Sequence, residues 1–193
     1  MLIQVTPTPM LVQAFPTSCW ISVAHYLLSY LDPNISLATL HADYYRPDPQ
    51  SYLLMTGAGR PQTILNQYAF DHGYFSKGTS VTHENRNAAL NIIVDSLTNG
   101  LPVIAMIRSN DIDGFGHALV ITGVDAATGI IHFTDPAEAH TNGAAHAITR
   151  QVNIETFTSS FFYRYSRSYY KNVNAYCARI ITLRPLNEMS LFA

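Results

Sequence analysis

Residues 114–136 read Gly114-Phe115-Gly116-His117-Ala118-Leu119-Val120-Ile121-Thr122-Gly123-Val124-Asp125-Ala126-Ala127-Thr128-Gly129-Ile130-Ile131-His132-Phe133-Thr134-Asp135-Pro136. Two runs rich in Val and Ile, His117 to Val124 and Ile130 to Asp135, flank the loop Asp125 to Gly129, a pattern that predicts a β-hairpin. With the turn centred on that loop, residues whose numbers sum to about 254 lie opposite each other. Asp135 then falls near Leu119, on the face of His117 and one step from it, so imidazole and carboxylate can meet with no tertiary assumption. A strand-capping His and an Asp-Pro turn are the plain alternatives, and each is common alone.

Outward from the hairpin, three more short runs rich in Val and Ile or closed by turn residues read as strands: Pro102 to Arg108, Ala147 to Ile154 and Tyr176 to Leu183. The first half of the chain reads as helices. Trp20, Val23, Ala24, Leu27, Leu28 and Leu31 recur at helical spacing from Thr17 to Leu31, with Thr17 or Ser18 as N-cap and Asp32-Pro33-Asn34 as stop. A second helix runs from Pro61 to Gly73 with Ile64, Leu65, Tyr68 and Ala69 inward, and a third from Thr82 to Leu97, closed by Gly100. Helices first and mostly antiparallel strands later predict an α+β fold, one layer of each around a shared core, as a single domain over 1–193.

Composition narrows the function classes. The 193 residues carry 11 Lys+Arg against 13 Asp+Glu, a net charge of −2, and 48% are hydrophobic, which excludes disorder. Charged residues make up 12%, about half the roughly 25% of ordinary soluble domains. None occurs before Asp32. That opening is no membrane span, because Gln4, Pro7, Pro9, Gln13, Pro16, Thr17 and Ser18 interrupt every window of sufficient length. It also lacks the basic start and unbroken apolar run of a secretory signal, so the expectation is a cytoplasmic protein or one secreted by a signal-peptide-independent route. Lys77 and Lys171 stand far apart, and the one cationic cluster, Arg164, Arg167 and Lys171, reads as a solvated face rather than a nucleic-acid surface. No H-E-x-x-H or paired C-x-x-C occurs, so no metal or other cofactor is expected; His132, His140 and His146 with Asp135 make only a weak metal set.

Cys19 falls in the first turn of the first helix, where unpaired N–H groups and the helix dipole favour a thiolate. Taken alone it reads more readily as a small buried apolar residue. A nucleophilic cysteine needs a base and the base an orienting group, and the hairpin supplies both in His117 and Asp135. Gln13, just before the helix, could join the Cys19 backbone N–H in an oxyanion hole. Cys177 reads as a buried structural thiol, and one cysteine pair is no disulfide framework, so a reducing compartment with Cys19 free fits better. His25 lies off the Cys19 face of the helix, His72 and His83 flank loops, His132 points away from Asp135, and His41, His140 and His146 have no evident partner.

Gln13-x5-Cys19-Trp20 opening a helix, Gly116-His117 opening a strand and Asp135 ending the next resembles the papain-like cysteine peptidases, over Gln13 to Asp135. The short chain and the Gly-His-Ala-Leu-Val-Ile block look most like the bacterial branches, the C39-type bacteriocin-processing peptidases and the C70-type effector proteases. Asp in third place matches those branches, whereas plant and animal papains use Asn; Thr17-Ser18 replaces the Gly-Ser that papain has before its cysteine. The resemblance implies a nucleophile helix packed on a mostly antiparallel sheet, with Cys19 as nucleophile, His117 as general base and later acid, Asp135 fixing the tautomer, Gln13 as oxyanion donor and Trp20 as core behind the nucleophile.

The implied reaction is hydrolysis of a peptide bond in a protein or peptide substrate through a Cys19 thioester, by an enzyme that fits a secreted bacterial effector or toxin with a cognate inhibitor or immunity protein. Two alternatives stay open. The same triad would serve a glutamine deamidase or transglutaminase-like acyltransferase. A catalytically silent binding module of the same fold would use the twelve tyrosines, Tyr163, Tyr165, Tyr169 and Tyr170 among them, as a contact surface. In the enzyme readings the charge-free opening becomes the wall of an active site, and the helix from Thr17 to Leu31 should be the most buried of the fold.

Overall fold

The runs Val103 to Ile107 and Ala118 to Val124 contain hardly a polar side chain, and a strand apolar on both sides of its pleat is stable only with both faces covered. In the computed structural model, which describes residues 1–6, 18–44, 60–112, 115–137, 149–163 and 173–192, these runs form two central strands of an eight-stranded sheet. In chain order the elements are β1 (Leu2–Gln4), α1 (Cys19–Leu28), α2 (Leu37–Tyr44), α3 (Arg60–Ala69), β2 (Tyr74–Ser80), α4 (Arg86–Thr98), β3 (Val103–Ser109), β4 (Gly116–Asp125), β5 (Ile130–Thr134), β6 (Thr149–Asn153), α5 (Ile154–Ser159), β7 (Phe161–Tyr163) and β8 (Val173–Pro185). The sheet order is β2-β8-β3-β4-β5-β6, with β1 added to β4 and β7 to β8, and every pairing is antiparallel.

The α+β class is as the sequence predicts; the layering is not. Helices cover both faces. On one face Ile104, Met106, Ala118, Val120 and Ile181 pack against α1, Leu40 of α2 and Ile64 and Leu65 of α3. On the other, Val103, Ala105, Leu119, Ile121 and Phe133 pack against Ala89 and Ile93 of α4 and Phe157 of α5. A single shared core follows from the sequence only if helix and strand each have one apolar face. The continuous apolar runs of β3 and β4 are the feature that calls for two.

α1 is buried almost all round. Nine of its ten residues are buried, His25 excepted, so the one-sided stripe read from the sequence understates it. It is the most buried of the described helices, because α2 and α3 pack against it as well as the sheet. It is also shorter than expected: the helix ends at Leu28, and residues 29–31 form turns. The third predicted helix starts at Arg86 rather than Thr82, yet Thr82 does mark its start. Its N–H donates to Asn85 Oδ1 at 2.8 Å and its hydroxyl accepts from the Asn85 N–H at 3.3 Å, a reciprocal pair in the turn that leads into the N-cap residue Asn85. α3 continues through a 3-10 turn, Phe70–His72, to Gly73, whose left-handed φ of 81° ends it.

Candidate active site

The hairpin of β4 and β5 closes in a register that would not by itself bring His117 and Asp135 together. At the loop, Asp125 pairs with Ile130 and Val124 with Ile131, a sum of 255. Continued unchanged, that register would set Asp135 opposite Val120, on the side of β4 away from His117. A bulge in β4 between Ile121 and Gly123 absorbs one residue, after which Ile121 pairs with Phe133 and Val120 with Thr134, a sum of 254. The next step faces Asp135 to Leu119, and His117 shares that face, as the centred register predicts.

His117 Nε2 donates to Asp135 Oδ1 at 2.7 Å, and both residues are sealed from solvent, at 2% and 1% exposure. The same carboxylate oxygen accepts the Ala137 N–H at 2.8 Å, which fixes its rotamer at the end of β5. With Nε2 engaged, Nδ1 is the ring nitrogen left for Cys19, which lies near enough to favour the protonated imidazole. Burial alone would lower the His117 pKa, but the Asp135 carboxylate and Cys19 outweigh it and push it up to about 10. His117 is therefore protonated at neutral pH.

Cys19 opens α1, with Ser18 in the N-cap position. The Ser18 carbonyl accepts from the N–H groups of Ile21 and Ser22, while its hydroxyl makes no cap bond. As the first helical residue, Cys19 has an N–H with no acceptor inside the helix. Its thiol is free and buried, and Trp20 lies in the core behind it at 5% exposure. Of the predicted residues, His117 and Asp135 are in direct contact, and Cys19 lies near enough to His117 to raise its pKa. Gln13 lies outside the described residues, as do His140, His146, Arg164, Arg167, Lys171, Tyr165, Tyr169 and Tyr170.

The other candidates have structural explanations. Cys177 is fully buried and donates to the Arg179 carbonyl at 3.5 Å, and burial pushes its pKa up to about 12. His25 Nε2 donates to the Ile35 carbonyl at 2.9 Å, tying α1 to the turn before α2. His41 sits on α2, and burial with the neighbouring His25 lowers its pKa. His72 and His83 are exposed, as expected. No group of three or more potential metal ligands occurs among the described residues.

Set beside known proteins, the chain shares its fold with a double glycine motif protease from an AMS/PCAT transporter, solved in complex with the leader peptide. The TM-score is 0.54 at 14% identity, over 94% of each chain. A weaker likeness, TM-score 0.48 at 13% identity, is to UfSP from C. elegans, over 96% of this chain and 34% of that one. No curated protein matches the sequence. The model of the Peptidase_C39 like family matches residues 5–171, a span that holds α1, both strands of the hairpin and Asp135. The chain belongs to the Peptidase_C39 like family, within the papain-like cysteine peptidase superfamily.

Proposed function

We propose that this protein is a cysteine peptidase that cleaves a peptide bond through a covalent thioester on Cys19. The observation that carries the reading is the buried His117 ring, held by Asp135 at 2.7 Å, with Cys19 at a helix N-terminus near enough to favour its protonated form. An adjacent imidazolium and a helix N-terminus are two recognised ways of making a cysteine nucleophilic at neutral pH.

In this mechanism the Cys19 proton already rests on His117, and the sulfur attacks the carbonyl carbon. The oxyanion that forms is met by the Cys19 backbone N–H and by Gln13. His117 then gives its proton to the departing amine as the C–N bond breaks, leaving a thioester. Water attacks the thioester with His117 as base, the carboxylic product leaves and the thiol is restored. Asp135 keeps Nε2 protonated and Nδ1 aimed at the sulfur throughout. The peptide-bound state of the structural neighbour supports a peptide as substrate, and leader peptides with a double glycine are the first to try.

The test is the Cys19→Ala variant assayed by intact mass against candidate peptides. Cleavage by the wild type and none by the variant, with an unchanged circular dichroism spectrum, is the expected result. Equal turnover by both would remove Cys19 from the mechanism, and an amide-to-acid mass change on an uncut chain would make the enzyme a deamidase.

A further inference from the structure

On the α1 side of the sheet, Ala118, Met106 and Arg179 form a row across β4, β3 and β8, with Met106 paired to Ala118 on one flank and to Arg179 on the other. Ala118 follows His117 in the chain, and Ala118 and Met106 share a cluster with Cys19 and Trp20. With neighbouring strands about 4.8 Å apart, the Arg179 backbone stands about 10 Å across the sheet from β4, and its guanidinium, over β2, about 14 Å.

The Arg179 guanidinium reaches away over β2 and lies against Gly78. A Cβ at position 78 would stand 2.6 Å from Arg179 Cζ and closer still to Nη2 and Nε, so only glycine leaves the guanidinium its place. There the Nε–H is buried with no hydrogen-bond partner. No carboxylate among the described residues pairs with Arg179, whereas Arg86 and Arg184 have Glu155 and Asp95. Arg108 is a second cation without an ion pair among the described residues. It is exposed, sits two residues beyond Met106 on the same face of β3, and pairs with Gly116, the residue before His117. A buried guanidinium donor left unsatisfied is costly and rare in a native fold, so it calls for a partner from outside.

We propose that Arg179 is a specificity-determining residue. Its guanidinium, seated on Gly78, receives the carboxylate of an Asp or Glu side chain of the peptide substrate, with Arg108 adding positive charge at the rim. The planar fork of arginine suits bidentate capture of a carboxylate. The assignment rests on the peptidase reading above.

The experiment uses peptidyl vinyl sulfones, which add a cysteine thiol across the double bond, with Glu or the isosteric Gln at one of the three residues next to the reactive group. The Cys19 adduct on the whole chain is followed by intact mass. At one of the positions the Glu peptide should label Cys19 about tenfold faster than the Gln peptide. Arg179→Gln should erase that difference, the Glu peptide then labelling no faster than the Gln peptide, and Arg179→Glu should turn the preference toward a Lys peptide. No preference for Glu at any position, or one that survives Arg179→Gln, overturns the subsite and leaves the peptidase reading standing. Failure of every peptide to label Cys19 overturns both. If Arg179→Gln does not fold, Arg179→Lys must keep a reduced preference for Glu, and its loss there overturns the subsite.

Discussion

At the scale of single residues, the pair His117–Asp135 governs both stability and reactivity. Two buried partners at 2.7 Å support each other, and removing one strands the other. Asp135→Ala should therefore destabilise the fold by about 3–5 kcal/mol in urea denaturation, because an imidazolium is left buried without its counter-charge. The pH dependence follows from the direction of the shift. His117 titrates at about 10 in the folded chain, against an ordinary value of 6.5, so it binds its proton more tightly folded than unfolded. Its contribution to stability is complete below about pH 6.5 and is lost as pH rises through about 10. Melting temperatures from pH 6 to 10 should fall more steeply for the wild type than for His117→Asn; parallel curves would mean that the histidine is not held protonated. Cys19, His117 and Asp135 are legible in the sequence because their placement is local, one in a helix start and two in a hairpin. Arg179 is not, since its nearness to the site comes from the pairing of β8 with β3, a contact between Met106 and a residue far along the chain.

At the scale of elements, the bulge at Ile121 to Gly123 and the burial of α1 decide the geometry. The bulge leaves no mark in the Val and Ile pattern, because two buried faces accept an apolar residue on either side. The centred register nonetheless holds where it matters, beyond the bulge. Gly129, at a φ of 68°, closes the loop, and a Cβ there would meet Ile154 Cγ2 at 3.0 Å. Gly129→Val should cost about 1–3 kcal/mol through backbone strain and that contact. Activity per folded molecule should be kept, because β3 holds β4 in place independently; an inactive but stable variant would show that the loop sets the register. The inaccessible Leu27 of α1 should cost about 2–5 kcal/mol on truncation to Ala. The partly buried Leu90 of α4 should cost clearly less, and equal losses in denaturant titrations would contradict the placement of α1 at the centre.

For the molecule as a whole, one sheet carries two cores, so neither face can come apart without exposing the other side of β3 and β4. Trp20, the chain's one tryptophan, reports on the α1 face, and Cys177 lies in the core on the opposite face. In urea, Trp20 fluorescence and Cys177 alkylation should change together in one transition, and separated midpoints would show two independent units. The fold class was readable from helices preceding strands. The second helical layer was hidden because α4 and α5 present no feature that distinguishes one side of a sheet from the other. The charge-free opening takes on its meaning at this scale too: α1, at its C-terminal end, is enclosed between the sheet and two helices, where an unpaired charge would be costly. The central claim, that Cys19 is a nucleophile activated by His117, is tested most directly by the rate at which iodoacetamide alkylates the native protein at neutral pH, read by intact mass. The account predicts a single adduct on Cys19, formed well faster than on free cysteine, with the rate falling to that of a plain thiol in His117→Ala and Cys177 untouched. A Cys19 that reacts no faster than free cysteine, or equally fast without His117, would contradict it.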